Sequence, residues 1–166
     1  MFNLQATLQK LNAINYTDLR QIPNVGGGGS SILLSDTLPG GSLSEDGAGL
    51  RINTVTQNAV NGNTKTVSVR IGSSQVAIRN GATDSGGFVQ IETYIWRINN
   101  SNQYFHCRIV SSAGASPVWV VQNGFITEIL SQDLLISLVA IASGAGDITS
   151  RLLSIQYLPP GTAVTA

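Results

Sequence analysis

The sequence predicts an all-β protein: an antiparallel β-sandwich of jelly-roll type with a short N-terminal helical arm. Three observations lead there. Strand signals dominate from Ser31 onward, with two-residue alternation between Gly87 and Leu158, helical spacing occurs only near the N-terminus, and short turn signals separate the strand candidates.

The elements follow in chain order. Leu4, Leu8, Leu11 and Ile14 recur at helical spacing, with Gln5, Gln9, Lys10 and Asn12 on the other side, which predicts one amphipathic helix. Pro23 and the run Gly26-Gly27-Gly28-Gly29-Ser30-Ser31 then end regular structure and read as a flexible joint. Residues 1–31 are therefore expected to form an anchoring arm and residues 32–166 a β-sandwich knob. A helix this short is marginal alone in water. It must lie on apolar surface, either the body of its own chain or a neighbouring protein.

Strands are expected over Ile32 to Leu34, Leu50 to Thr54, Thr66 to Ile71, Gln75 to Arg79, Phe88 to Ile98 and Tyr104 to Val110. Four more are expected over Val118 to Gln122, Phe125 to Ile129, Leu134 to Ala142 and Ile148 to Tyr157. Asn61-Gly62, Asn80-Gly81 and Asn123-Gly124 are turn pairs able to supply positive φ angles, and Pro39-Gly40-Gly41 and Ala113-Gly114 mark further loops.

The Phe88 strand carries Phe88, Gln90, Glu92, Tyr94 and Trp96 on one side and Val89, Ile91, Thr93, Ile95 and Arg97 on the other. Bulky groups on both faces predict cover on both faces. One face makes the core; the other is expected to meet a second copy of the chain. Tyr94, Trp96, Leu135 and Tyr157 are the expected inter-subunit contacts, exposed in a lone subunit and covered in the oligomer.

Composition narrows the function. A chain of 166 residues holds one domain with a true core plus a short arm. Charged residues make up 11% of it, with nine basic and nine acidic side chains, where about 25% is usual. Nothing here attracts a polyanion or an acidic membrane, and Arg51, Arg70, Arg79, Arg97, Arg108 and Arg151 are spread one to a strand. Neither nucleic acid nor a membrane is an expected partner. So neutral a surface favours self-association. No apolar run approaches the roughly 18 residues of a membrane span, and the start lacks a signal peptide's basic and apolar regions. The expected location before assembly is the cytoplasm.

Groups able to do chemistry are scarce. His106 and Cys107 are adjacent on one predicted strand, so they point to opposite faces and cannot form a dyad. One His and one Cys, without HExxH or CxxC, make no zinc site, and Glu45-Asp46, Asp84 and Asp147 lack the spacing of a calcium loop. The glycine run lacks the Lys and the following helix of a phosphate loop. No catalytic residue, metal or cofactor is expected. An enzyme or lectin-like module would need a deep pocket holding His106 with a carboxylate beside it.

The segments Tyr94-Ile95-Trp96-Arg97-Ile98, Arg108-Ile109-Val110, Leu134-Leu135-Ile136-Ser137-Leu138-Val139-Ala140 and Ala145-Gly146-Asp147-Ile148-Thr149, with the close Gln156-Tyr157-Leu158-Pro159, carry a resemblance. Over roughly Leu50 to Pro160 the chain resembles the jelly-roll knobs, similar in shape to the tumour-necrosis-factor domain, that tailed bacteriophages use as capsid decoration (cement) proteins, head fibres and fibre tips. The resemblance implies a non-catalytic virion protein, a homotrimer assembled in the host cytoplasm, whose partner is the major capsid protein or another virion protein. A tail fibre needs a long shaft before its knob, whereas a decoration protein needs only a foot. The arm bearing Leu4, Leu8, Leu11 and Ile14 suits that foot. The alternative is a short fibre or tail-tip knob that binds a host-cell receptor.

Overall fold

The computed structural model describes residues 15–82, 85–112 and 118–161. They form β1 (Tyr16–Asp18), β2 (Ser30–Leu38), β3 (Gly49–Val60), β4 (Lys65–Ile71), β5 (Ser74–Ala82), β6 (Ser85–Asn99), β7 (Asn102–Ser111), β8 (Val118–Ile126), β9 (Leu134–Ala142) and β10 (Ile148–Leu158). One antiparallel sheet has the order β1-β10-β3-β6-β7-β8 and the other β2-β9-β4-β5. The pairs nest: β4 with β5, β3 with β6, β2 with β9 and β1 with β10, alternating between the sheets. That is a jelly roll, with β7 and β8 added beyond β6.

Alternation builds the layers. Leu50 and Ile52 of β3, Val89, Ile91 and Ile95 of β6, and Cys107 and Ile109 of β7 turn inward, as do Ile136, Leu138 and Ala140 of β9 in the opposite sheet. Each large aliphatic side chain so buried contributes roughly 1.5–3 kcal/mol. Two bulges reset the phase. Between Ile32 and Leu34 the β2 register shifts, so Leu33 and Leu34 are both buried. Between Ser150 and Leu152 the β10 register shifts too, so Leu153 and Ile155, rather than Leu152, rejoin the inner row.

Several sequence expectations are corrected. Asn123-Gly124 is not a turn: Val118–Ile126 is one strand, and nothing beyond Ile126 continues it as a strand to Ile129. Gly124 lies opposite Phe105, and a Cβ there would come within 3.0 Å of the Phe105 ring. The glycine makes room for an aromatic cross-strand neighbour. Asn80-Gly81 likewise falls inside β5. The strand β1 has no counterpart among the sequence expectations.

Residues 16–31, assigned on sequence to the arm, are stitched to the body. β1 pairs with β10, Pro23 bridges to Thr149, and Asn24 donates to the Gly144 carbonyl while its own side-chain oxygen accepts from Ile148 N–H, both at 2.9 Å. The Gly27 and Gly28 amides donate to the Ser143 and Ala142 carbonyls. Gly26 has φ +87°, and a Cβ on it would sit 2.5 Å from the Ala145 nitrogen. Close backbone approach, not flexibility, requires glycine at this point. The expected domain boundary at residue 31 falls inside β2. The predicted helix over Leu4 to Ile14 lies outside the described residues.

A buried polar clasp holds the same end of the sandwich. Asp147 accepts from Asn61 Nδ2 (2.6 Å), Asn63 Nδ2 (2.9 Å) and Gly144 N–H (2.9 Å). Lys65, 2% exposed, donates from Nζ to Asn61 Oδ1 (2.8 Å) and the Asn63 carbonyl (3.0 Å). The two charges are compensated through shared asparagines, as buried charges must be. Burial pushes the Asp147 carboxyl up, but hydrogen bonds from Asn61, Asn63 and Gly144, with the Lys65 charge, outweigh it and hold the pKa below its usual value. Asp18 is held well below the carboxylate range, chiefly by side-chain and backbone hydrogen bonds from Arg20.

Folded-state pKa values below the unfolded ones mean that this stabilisation is complete above the unfolded value of about 4 and is lost as pH falls through the folded values. The melting temperature is expected to drop on acidification below about pH 4. For Asp147→Asn, thermal melts across pH should show lower stability at neutral pH, by about 1–3 kcal/mol, and a flatter acid limb.

Candidate functional site

The outward face of the six-stranded sheet is built by the residues that alternate with the core rows. Strand register sets them in ranks across the sheet. Arg51, Tyr94, His106 and Asn123 form one rank, Gly49, Trp96, Tyr104 and Phe125 the next. On the other side of the first rank run Asn53, Glu92, Arg108 and Val121.

The aromatic side chains make a continuous stack. Tyr94 and Trp96 lie 5.6 Å apart between centroids at 8°, and Trp96 and Tyr104 lie 6.2 Å apart at 24°. Phe125 meets Tyr104 edge-on at 5.4 Å. These separations are in the range of favourable ring contacts, worth about 0.5–1.5 kcal/mol each beyond burial. Because Tyr94, Trp96 and Tyr104 turn their faces to one another, much of what they offer outward is edge. The site forms there because β6 and β7 place aromatics at alternate outward positions and β8 adds Phe125 in the same register.

Arginines border the stack. Arg51 lies 5.9 Å from the Tyr94 centroid and donates from Nε to Glu92 Oε1 at 2.8 Å, while the Tyr94 hydroxyl donates to the same oxygen at 3.1 Å. Burial, then the bond to Glu92, raises the Tyr94 pKa, so its phenol stays a donor across the neutral range. Arg108 lies 5.0 Å from the Trp119 ring centroid. Trp, Tyr and Arg are the residue types that dominate protein–protein hot spots.

The residues expected to make inter-subunit contacts do not converge. Tyr94 and Trp96 stand together in the stack, half-buried by their neighbours. Leu135 is 42% exposed on the outer side of the other sheet. Tyr157 is half-buried and packs against the core. Sequence reasoning missed Tyr104, Trp119 and Phe125. The available signal was aromatic alternation in neighbouring strands, but treating Asn123-Gly124 as a turn put Trp119 and Phe125 on different strands.

His106 faces outward between Tyr94 and Asn123, while Cys107 is wholly buried. Burial pushes the Cys107 thiol up to about 11, leaving it protonated and unreactive at neutral pH. Among the described residues no three His, Cys, Asp or Glu side chains gather to hold a metal. A cleft of about 140 Å³ is lined by Leu43, Arg97, Asn100 and Leu130, among others. Its Arg97 donates to Asp46 Oδ1 at 2.9 Å and to the Leu43 carbonyl at 2.7 Å, fixing the loop beside it.

No protein-family model matches the sequence, and no curated protein matches it. Among solved structures the chain is similar to the lectin UEA-II complexed with galactose, at 7% identity and TM-score 0.43, over 87% of this chain and 91% of the lectin. It is also similar to a legume lectin-like domain from Entamoeba histolytica, at 10% identity and TM-score 0.33, over 93% of each chain. A third similarity is to infectious bursal disease virus, Gt strain, at 15% identity and TM-score 0.33, over 85% of this chain and 30% of the viral one. Likenesses this distant carry no inference about what this chain binds. The class of the molecule rests on its own topology: an all-β jelly-roll sandwich.

The outer aromatics should matter little to the fold of the single chain. Phe125 is 71% exposed, so Phe125→Ser is expected to change the unfolding free energy by less than about 1 kcal/mol. Ile95→Ala, on the inner side of the same sheet, should cost about 2–5 kcal/mol in denaturant titrations.

Proposed function

We propose that this chain is a bacteriophage virion structural protein, a homotrimeric capsid decoration protein that binds the major-capsid-protein shell and stabilises it. The observation that carries the reading is the outward aromatic and arginine face on a charge-poor jelly roll. It is a surface made for protein contact, on the fold that the knob resemblance implies. Residues 1–14 supply the foot, with Leu4, Leu8, Leu11 and Ile14 as its apolar contacts. Three weak feet on one rigid trimeric knob bind a symmetric lattice far more tightly than one, because the second and third attachments are intramolecular.

A second reading has its own support. Trp119 and Phe125 are 64% and 71% exposed at one margin of the sheet, beside Asn123. Exposed aromatics next to an amide suit a receptor-binding tip of a short fibre or tail. Adhesion of the purified knob to host cells, with no binding to shells, would select it.

Residues 16–24 belong to the sandwich, so the informative truncation removes residues 1–14 only. Cosedimentation with purified shells should show the full chain bound and the truncated chain free, with the oligomer mass of the two alike apart from the deleted residues. A truncated chain that decorates shells normally would sink the decoration reading.

A further inference from the structure

Among the described residues the sandwich has four edge strands, and they are not equally protected. A sheet edge offers unpaired N–H and C=O groups to any passing strand, so soluble proteins blunt it by shortness, bulges, charge or cover. β1 has only three residues. β2 is broken by its bulge and carries Asp36. β5 pairs with two register shifts and carries Arg79, and its Ile78 N–H and carbonyl are both taken by the Gln122 side chain, at 3.1 and 2.9 Å.

Among the described residues β8 has none of these protections. Its nine residues contain no charge and no proline, and its pairing with β7 runs from Gln103↔Ile126 to Ser111↔Val118 without a register shift. Trp119, Val121 and Phe125 are 64%, 59% and 71% exposed on one side of it. The chain has no net charge, so nothing electrostatic keeps two copies apart.

We infer that β8 is a self-association edge: two copies pair β8 with β8 antiparallel about a two-fold axis at Gln122, joining their six-stranded sheets into one. A second copy is the occupant because the strand is complementary to itself. Centring on Gln122 gives full overlap of the nine residues and keeps each outward side chain outward; a slip by one residue would turn them to the wrong face. In that register Trp119 lies opposite Phe125 of the second copy, and Val121 lies opposite its Asn123. The ring stack Tyr94, Trp96, Tyr104, Phe125 then runs on to Trp119 and Arg108 of the other subunit, with aromatic pairs directly across the new strand boundary.

The contact stands apart from the decoration reading. It is two-fold, so in a trimeric knob it would link one knob to another. The test uses the full chain and light-scattering mass across concentration. Val121→Glu combined with Asn123→Glu puts two like-charged pairs directly opposite across the axis. Within the single chain the same carboxylates face Arg108 and His106. The variant should keep the wild-type circular dichroism and show half the wild-type mass, a three-fold association made elsewhere being left intact.

Independently, Val121→Cys combined with Asn123→Cys should give an oxidised species of twice the chain mass that reductant reverses, since opposed residues of antiparallel strands meet disulfide geometry. Native Cys107 is buried and takes no part. A wild-type chain of single mass at every concentration, an unchanged mass in the folded glutamate variant, or a cysteine pair that yields no dimer would each overturn the inference.

Discussion

Everything in this molecule depends on one constraint: two sheets must share a single row of inward side chains, one residue in two along every strand. Ile52, Ile91 and Ile109 from one sheet and Ile136 and Leu138 from the other are essentially removed from solvent in that layer. Where the chain would fall out of phase, a bulge restores it, as between Ile32 and Leu34 or between Ser150 and Leu152. The outward face follows from the inward one. Once Val89, Ile91, Thr93 and Ile95 are committed to the core, Glu92, Tyr94 and Trp96 have no other place to go.

Polar groups help to close the ends and sides of the layer, beside loop leucines such as Leu43 and Leu130. Asp147 and Lys65 clasp the turn after β3. Glu128 does the same for the β4–β5 turn, accepting from Ser73 and Ser74 N–H at 3.1 and 2.8 Å. Gln122 ties β8 to β5 across the open side of the sandwich. Asp147 and Glu128 are each surrounded by donors. The chain is economical in charge, with nine basic and nine acidic side chains that cancel, and a neutral surface bearing stacked rings is suited to contact with other protein.

The same economy unites the two functional proposals. A decoration protein must bind a repeating lattice without enzymatic groups, and the outer face supplies Trp, Tyr and Arg for contact. An unprotected β8 edge supplies a symmetric contact of a different kind, made by backbone pairing rather than by side-chain fit. The stack on β6 and β7 meets that edge at Phe125, so the two surfaces are one continuous feature of the sheet.

Much was legible in the amino-acid order because alternation is local: the all-β class, the strands over Leu134–Ala142 and Ile148–Leu158, the opposed directions of His106 and Cys107, and the outward pairing of Tyr94 with Trp96. What local pattern cannot carry is which strand lies beside which. Asn123-Gly124 has the composition of a turn, yet it runs straight through β8 because Phe105 on the neighbouring strand needs the space above Gly124. Gly26 to Gly28 have the composition of a hinge, yet they are held against the β9–β10 connection. Tyr157 alternates as a surface residue would, and the β10 bulge helps turn it toward the core. In each case the deciding partner is distant in sequence, so the tertiary structure alone determined the register, the continuity of the aromatic stack and the identity of the open edge.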